Sequence, residues 1–179
     1  MNIHFTKSQI GLDGVPAAET VLSHVDGERG ELIVAGERIA DLAGKSSFEG
    51  ATARLWNGAT GRSLSEANVR ASLGAARERA FARLPEILPA TQGLSIVDGF
   101  RAAVAGLRAE SGLDHEATIV GAFPVIAGAL VQQAKGHKPI GPDPNIGHAA
   151  DTLRMLRGRP RHARLRRSTP ISSQFAITA

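Results

Sequence analysis

The sequence predicts a mainly α protein with a short β-hairpin near its amino terminus. Apolar residues recur at helical spacing along most of the chain, and Pro or Gly closes most of those stretches. Residues 115–134 are apolar nearly all round, the signature of a helix enclosed by others. Only Gly27 to Gly36 shows the short, turn-bounded apolar run of paired strands, with Glu31-Leu32-Ile33-Val34 at its centre.

The elements follow in order. Ile39 to Leu42 and Phe48 to Trp56 carry helical spacing, with Ser46-Ser47 placed to cap the second of them and Gly58 and Gly61 marking its exit. Ser65 to Leu84 is an amphipathic helix. Its face is Val69, Leu73, Ala76, Ala80 and Leu84, with Arg70, Arg77, Glu78 and Arg83 turned elsewhere, and Pro85 and Pro89 close it. Ser95 to Arg108 forms the next helix, with Val97, Phe100, Val104 and Leu107 as its stripe before Gly112. His115 to Ala134 is the enclosed helix, and Pro124 is expected to kink it. A Pro/Gly loop from Gly136 to Pro144 leads to a last helix, Ile146 to Leu156, ending at Gly158.

A chain of 179 residues fits one domain or a fragment of a larger one, and 42% apolar content is enough for a core. With no cysteine, disulfides and thiolate metal sites are out of reach. Met1-Asn2-Ile3-His4-Phe5 does not read as a leader, and Ala117 to Val131 is shorter than the ~20 residues of a membrane span, so no membrane and a cytoplasmic setting are expected. The net charge of +4 is unevenly placed. Residues 151–179 hold seven Arg and one Asp, which leaves residues 1–150 with 14 Lys+Arg against 16 Asp+Glu. A mildly acidic body gives no reason to expect nucleic acid.

A long ordered set of residues points to a family. It comprises Gly11-Leu12, Glu19-Thr20, Ser23, Val25-Asp26-Gly27-Glu28, Gly30, Leu32-Ile33, Gly36, Ile39, Asp41-Leu42-Ala43, Ser46-Ser47-Phe48-Glu49 and Leu55-Trp56-Asn57-Gly58. This run resembles the amino-terminal segment of citrate synthases and 2-methylcitrate synthases. Ile96 to Leu107, with Asp98 and Arg101, is similar to a later family helix, and Thr118 to Phe123 to the long buried helix after it. Asn145 to Gly158 is similar to the family's His-Ala-Ala-Asn-Phe-Leu-x-Met-Leu-Gly helix. Glu37, where an aromatic is usual, and Pro124 depart from the pattern. The resemblance covers about residues 8–158. It implies a citrate synthase-like multi-helical domain, incomplete here, with 159–179 as a basic tail, disordered or frame-shifted.

The resemblance also implies an activity: an acyltransferase that condenses acetyl-CoA with oxaloacetate and water to give citrate and CoA, in the tricarboxylic acid cycle. A carboxylate base would remove the methyl proton, histidines would stabilise the enol and polarise the ketone, and arginines would grip the dicarboxylate. The family motifs that carry these groups are absent from this sequence. No catalytic, cofactor-binding or metal residue is therefore assigned. The lone chain is expected to be truncated before its catalytic residues and inactive, with acetyl-CoA only as the family's co-substrate.

The histidines offer no substitute. His148 matches a family position and reads as a structural or capping group; His24 in a turn, His115 near a helix start, His137 and His162 read as solvated, and His4 is terminal. No two share metal-ligand spacing, and Glu28 and Glu31 read as surface carboxylates. Gly27 to Gly30 lacks the strand-to-helix setting of a phosphate cradle.

The tail suggests an accident. Read from the third base of each codon, with permitted codon choices, residues 166–179 become Ala-Leu-Asp-Thr-Tyr-Leu-Val-Thr-Val-Cys-Asp-His-Gly-Leu, close to the next family helix. A frame shift between Gly158 and Leu165 is the expectation. The alternatives are a disordered basic end, or nucleic-acid binding through Arg154, Arg157, Arg159, Arg161, Arg164, Arg166 and Arg167, which lacks an aromatic platform before Phe175. The expected partners are a second copy or a full-length citrate synthase, met through residues 117–134. A non-catalytic role alongside such a synthase is the alternative function. Citrate and 2-methylcitrate specificity are not separable on these residues.

Overall fold

The computed structural model describes Thr20, residues 22–108 and residues 115–158. The tail from Arg159, His4, His162, Gly11-Leu12, Glu19 and Gly112 lie outside the described residues.

A three-stranded antiparallel sheet opens the fold: β1 (Ser23–Asp26), β2 (Glu31–Val34) and β3 (Glu37–Arg38). Ser23 pairs with Val34 and Asp26 with Glu31. The hairpin is thus larger than the sequence suggested, and His24 sits in a strand opposite Ile33 rather than in a turn. Ala35 and Gly36 join β2 to β3 with φ of 48° and 82°, the left-handed pair a tight hairpin turn requires.

Among the described residues seven helices follow: α1 (Ile39–Leu42), α2 (Phe48–Thr60), α3 (Glu66–Ala82), α4 (Leu84–Ile87), α5 (Ile96–Ala105), α6 (His115–Ala134) and α7 (His148–Arg157). A 3-10 turn at Leu88–Thr91 separates α4 from α5. The serine cap of α2 forms as the sequence predicts, and serines also cap α3 and α5. Ser47 Oγ accepts the Gly50 amide at 2.9 Å, and Ser95 Oγ accepts that of Asp98 at 3.1 Å. Ser65 and Asn68 make a reciprocal capping box. Gly61 ends α2 at φ 69°, whereas Gly58 lies inside the helix.

Two helix faces differ from expectation. On α3 the apolar face is buried as predicted, but Arg77 is buried with it at 1% exposure, because a cluster of acceptors surrounds it. On α5 the buried positions are Gly99 and Ala103, while Val97 is 68% exposed. The rest of the predicted stripe, Phe100, Val104 and Leu107, is partly buried against the core.

Helix α6 is the axis of the core and packs against α3, α5 and α7. It runs without a break through Pro124. At 20 residues and mean hydropathy 1.5 it is longer than the apolar stretch read from sequence, and long and apolar enough to cross a membrane. Burial by its neighbours accounts for that composition: Ala117, Ala122, Val125, Ile126 and Ala129 are all at or below 2% exposure. The main core joins Ala122, Val125, Ile126 and Ala129 to Ala80, Leu84, Ile87, Ala103, Leu130 and Met155, and a smaller cluster holds Ala53, Val69, Leu73 and Ala117.

Close approach of α6 to its neighbours depends on glycine. A Cβ at Gly121 would lie 2.5 Å from the Ala76 Cβ of α3, and one at Gly128 would lie 3.0 Å from the Met155 Cβ of α7. Gly121→Val is therefore expected to force α3 and α6 apart and to cost about 1–3 kcal/mol. A lowered urea midpoint checks this; an unchanged midpoint contradicts the packing.

Candidate functional site

The densest polar chemistry lies where α2, α3 and α7 meet. Arg77 and Asp151, at 1% and 0% exposure, form a buried ion pair with Nε donating to Oδ2 at 2.8 Å. The other two nitrogens of the guanidinium are also engaged. Nη1 donates to His148 Nδ1 at 3.1 Å, and Nη2 donates to the carbonyls of Asp143 and Ile146, both at 3.2 Å. Asp151 in turn accepts the Asp143 amide at 3.1 Å and the Arg154 guanidinium at 2.7 and 2.9 Å. Two charges removed from water are tolerated when they are paired and further hydrogen-bonded, as these are.

Glu49, 3% exposed on α2, completes the cluster. Its Oε1 accepts the His148 amide at 2.7 Å. The first turn of α7 has no serine, threonine or asparagine cap, since Gly147 occupies the N-cap. A carboxylate from 99 residues away serves instead and also meets the positive end of the helix dipole.

The contact with Arg77 fixes the state of His148. A guanidinium can only donate, so Nδ1 accepts and the ring proton sits on Nε2. Burial first, and the Arg77 charge second, hold the imidazole below its usual range, while Glu49 and Asp151 pull the other way. The ring stacks on Phe48 with centroids 4.7 Å apart. Nδ1 is thus closed to acid–base work, and the cluster ties α2, α3 and α7 together. Among the described residues no set of His, Asp and Glu is placed to hold a metal ion.

Beside the cluster lies an open apolar groove of about 640 Å³. Phe48, Phe100, Ile119, Phe123 and Leu153 supply most of its walls, and His148 lies at its edge. Phe123 and Ile119 are 40% and 45% exposed, and Leu153 48%.

Residues 11–171 match the family model described as "Citrate synthase, C-terminal domain". The chain belongs to the citrate synthase family. It is 33% identical over 175 residues to a citrate synthase of Acidithiobacillus ferridurans, across 87% of this chain and 45% of that protein. A Haloferax volcanii citrate synthase is 29% identical over 163 residues, across 83% of this chain and 43% of the relative. The fold is similar to the citrate synthases of Thermotoga maritima and Pyrobaculum aerophilum, each at a TM-score of 0.66 with 23% and 24% identity. Those two alignments cover 86% and 83% of this chain and 42% of each structure. The chain thus spans less than half the length of the citrate synthases it matches, and the match continues past Gly158 into the basic tail.

Most family residues read from the sequence fall into structural roles. Glu49 and His148 meet in the buried cluster, whereas Asp98 and Arg101 face solvent as a loose pair 3.7 Å apart. Glu37 pairs with Arg54 of α2, and His137 is exposed. Glu28 is exposed, and Glu31 pairs with Arg38 across the small sheet. Arg77 and Asp151 were not singled out as partners by sequence. The signal was an arginine near the apolar face of α3, but its acceptors are 66 to 74 positions away.

Two outcomes follow. Asp151→Asn keeps the shape and strands the Arg77 charge, and is expected to cost about 3–5 kcal/mol. Paired Arg77→Met and Asp151→Leu substitutions should cost less than Asp151→Asn alone, measured by urea denaturation. The unfolded chain protonates His148 near 6.5, while the folded chain resists it. Its contribution is therefore complete above that value and lost as pH falls below it. His148→Gln should flatten the slope of stability between pH 8 and pH 5; an unchanged slope contradicts the burial of a neutral ring.

Proposed function

We propose that the chain supplies the amino-terminal part of a citrate synthase-type acyltransferase scaffold and does not condense substrates by itself. The observation that carries this reading is the use made of its buried polar groups. His148, Arg77 and Asp151 are committed to one another inside the fold, and the motifs that would present a base, an enol-stabilising histidine and dicarboxylate-binding arginines are missing from the sequence. The completed scaffold would join acetyl-CoA and oxaloacetate to form citrate within the tricarboxylic acid cycle, in the cytoplasm. The basic stretch from Arg159 is read as the product of a shifted frame.

A second reading, a non-catalytic partner of a full-length synthase, is favoured by the exposed side of α6. Ile119 and Phe123 leave residues 117–134 with an apolar surface fit to meet a second copy or a synthase chain. Thiol release from acetyl-CoA in the presence of oxaloacetate tests the main reading. The purified chain is expected to give no turnover above background, and measurable citrate formation would refute it. The nucleotide sequence after the Gly158 codon tests the frame: the shifted frame should continue with the missing citrate synthase motifs.

A further inference from the structure

The buried junction holds a titratable ring whose second proton has one place to go. His148 is 6% exposed, and its neutral ring keeps a proton on Nε2 while Nδ1 accepts from Arg77 Nη1 at 3.1 Å. An imidazolium donates from both nitrogens. The lone pair that would take the added proton is the one the guanidinium already uses. Protonation of His148 and its contact with Arg77 therefore exclude one another. A charged ring held in place would also set two cations side by side in the interior.

The groups around the ring leave the added charge without a new partner. From α3, Arg77 faces it directly, and Arg70 lies 4.0 Å from Glu49 Oε1. From α2, Phe48 stacks on the ring, and Glu49 accepts the His148 backbone amide. From α7 itself, Asp151 is taken by Arg77, by Arg154 and by the Asp143 amide. In the loop, the Asp143 carboxylate is turned to Asn145. Helix α6 brings Ile119, Val120, Phe123, Pro124 and Ala127 to the same side, and α5 brings Phe100, none of them titratable. Glu49 and Asp151 favour the charged ring from where they sit, but burial and Arg77 outweigh them. The Arg77 contact also holds more than the ring, because the same guanidinium binds the carbonyls of Asp143 and Ile146. The far end of α7 is fastened separately, by buried Met155 and by Gln132 Nε2 donating to the carbonyls of Met155 and Leu156.

We propose that His148 is a proton-gated latch: its protonation expels the Arg77 guanidinium and releases residues 143–151 from α3, while the core built on α6 stays folded. The latch belongs to the fold of this chain and holds whether or not the chain serves a synthase. In the open junction the ring takes its proton near 6.5, whereas in the closed junction it is held below that value. The closed form is therefore favoured fully above 6.5 and loses ground as pH falls through it. For one proton taken up, the opening constant grows by about tenfold per pH unit.

Amide hydrogen exchange of the full 179-residue chain, followed by NMR and corrected for the intrinsic effect of pH, tests the latch. The window runs from about pH 7.5 to about pH 5, above the range near 4 where free carboxylates titrate. Three amides report on the junction: Asp143, bonded to Asp151; His148, bonded to Glu49; and Asp151, bonded to the Gly147 carbonyl. Their protection should fall by about tenfold per pH unit below 6.5, while Val125 and Ile126 of α6 keep theirs. His148→Gln should remove this pH dependence. His137→Gln, exposed at the other end of the loop, should leave it unchanged. A dependence that persists in His148→Gln overturns the proposal, as does loss of protection at Val125 and Ile126 in step with the junction. The ring nitrogens of the unaltered chain give a second readout that needs no variant to fold. His148 taking up its proton while the three amides stay protected would show that the charge is accommodated with the junction closed, and would equally overturn the latch.

Discussion

The buried Arg77–Asp151 pair is the constraint on which the helical part of this protein depends. It joins α3 to α7, and the same guanidinium gathers the carbonyls of Asp143 and Ile146. The loop between α6 and α7 has no regular structure of its own, so its backbone groups need outside partners. They find them in the two side chains that also hold the helices. Isolated in a low-dielectric interior, either charge would be strongly unfavourable. Paired and further hydrogen-bonded, they define one arrangement of α3, α7 and the loop.

The apolar core and the polar cluster divide the labour. Helix α6 provides the surface against which α3, α5 and α7 bury their apolar faces, and its glycines at 121 and 128 let two of those neighbours approach closely. Such contacts bring helices together but tolerate sliding. The cluster at the α2–α3–α7 junction does not, because Glu49 must meet the His148 amide and Asp151 must meet Arg77 at once. Packing supplies the attraction and the hydrogen bonds supply the register.

Much of this was legible in the sequence. The limits of α6, the serine cap of α2 and the apolar face of α3 follow from local patterns that report local geometry. The exposed Val97 was not legible. A helical stripe identifies an apolar side, but which residues face a neighbour depends on where that neighbour lies. Arg77 was missed for the same reason, because a charged residue reads as solvated until the distant acceptors are known. The third strand is only two residues long, too short to leave a periodic trace. The family resemblance was carried by specific runs of residues, and it named Glu49 and His148 without revealing that they touch.

The long-range ties of α7 have a consequence for how the chain acquires its shape. Glu49 and His148 are separated by 99 positions and Arg77 and Asp151 by 74, so the ends of very large loops must be joined before either bond can form. Local helices and the hairpin have no such delay. The last described helix should therefore dock late and detach early, which makes its detachment a sub-global opening rather than complete unfolding. Amide protons of residues 148–157 would then exchange with solvent sooner than those at the centre of the enclosed helix.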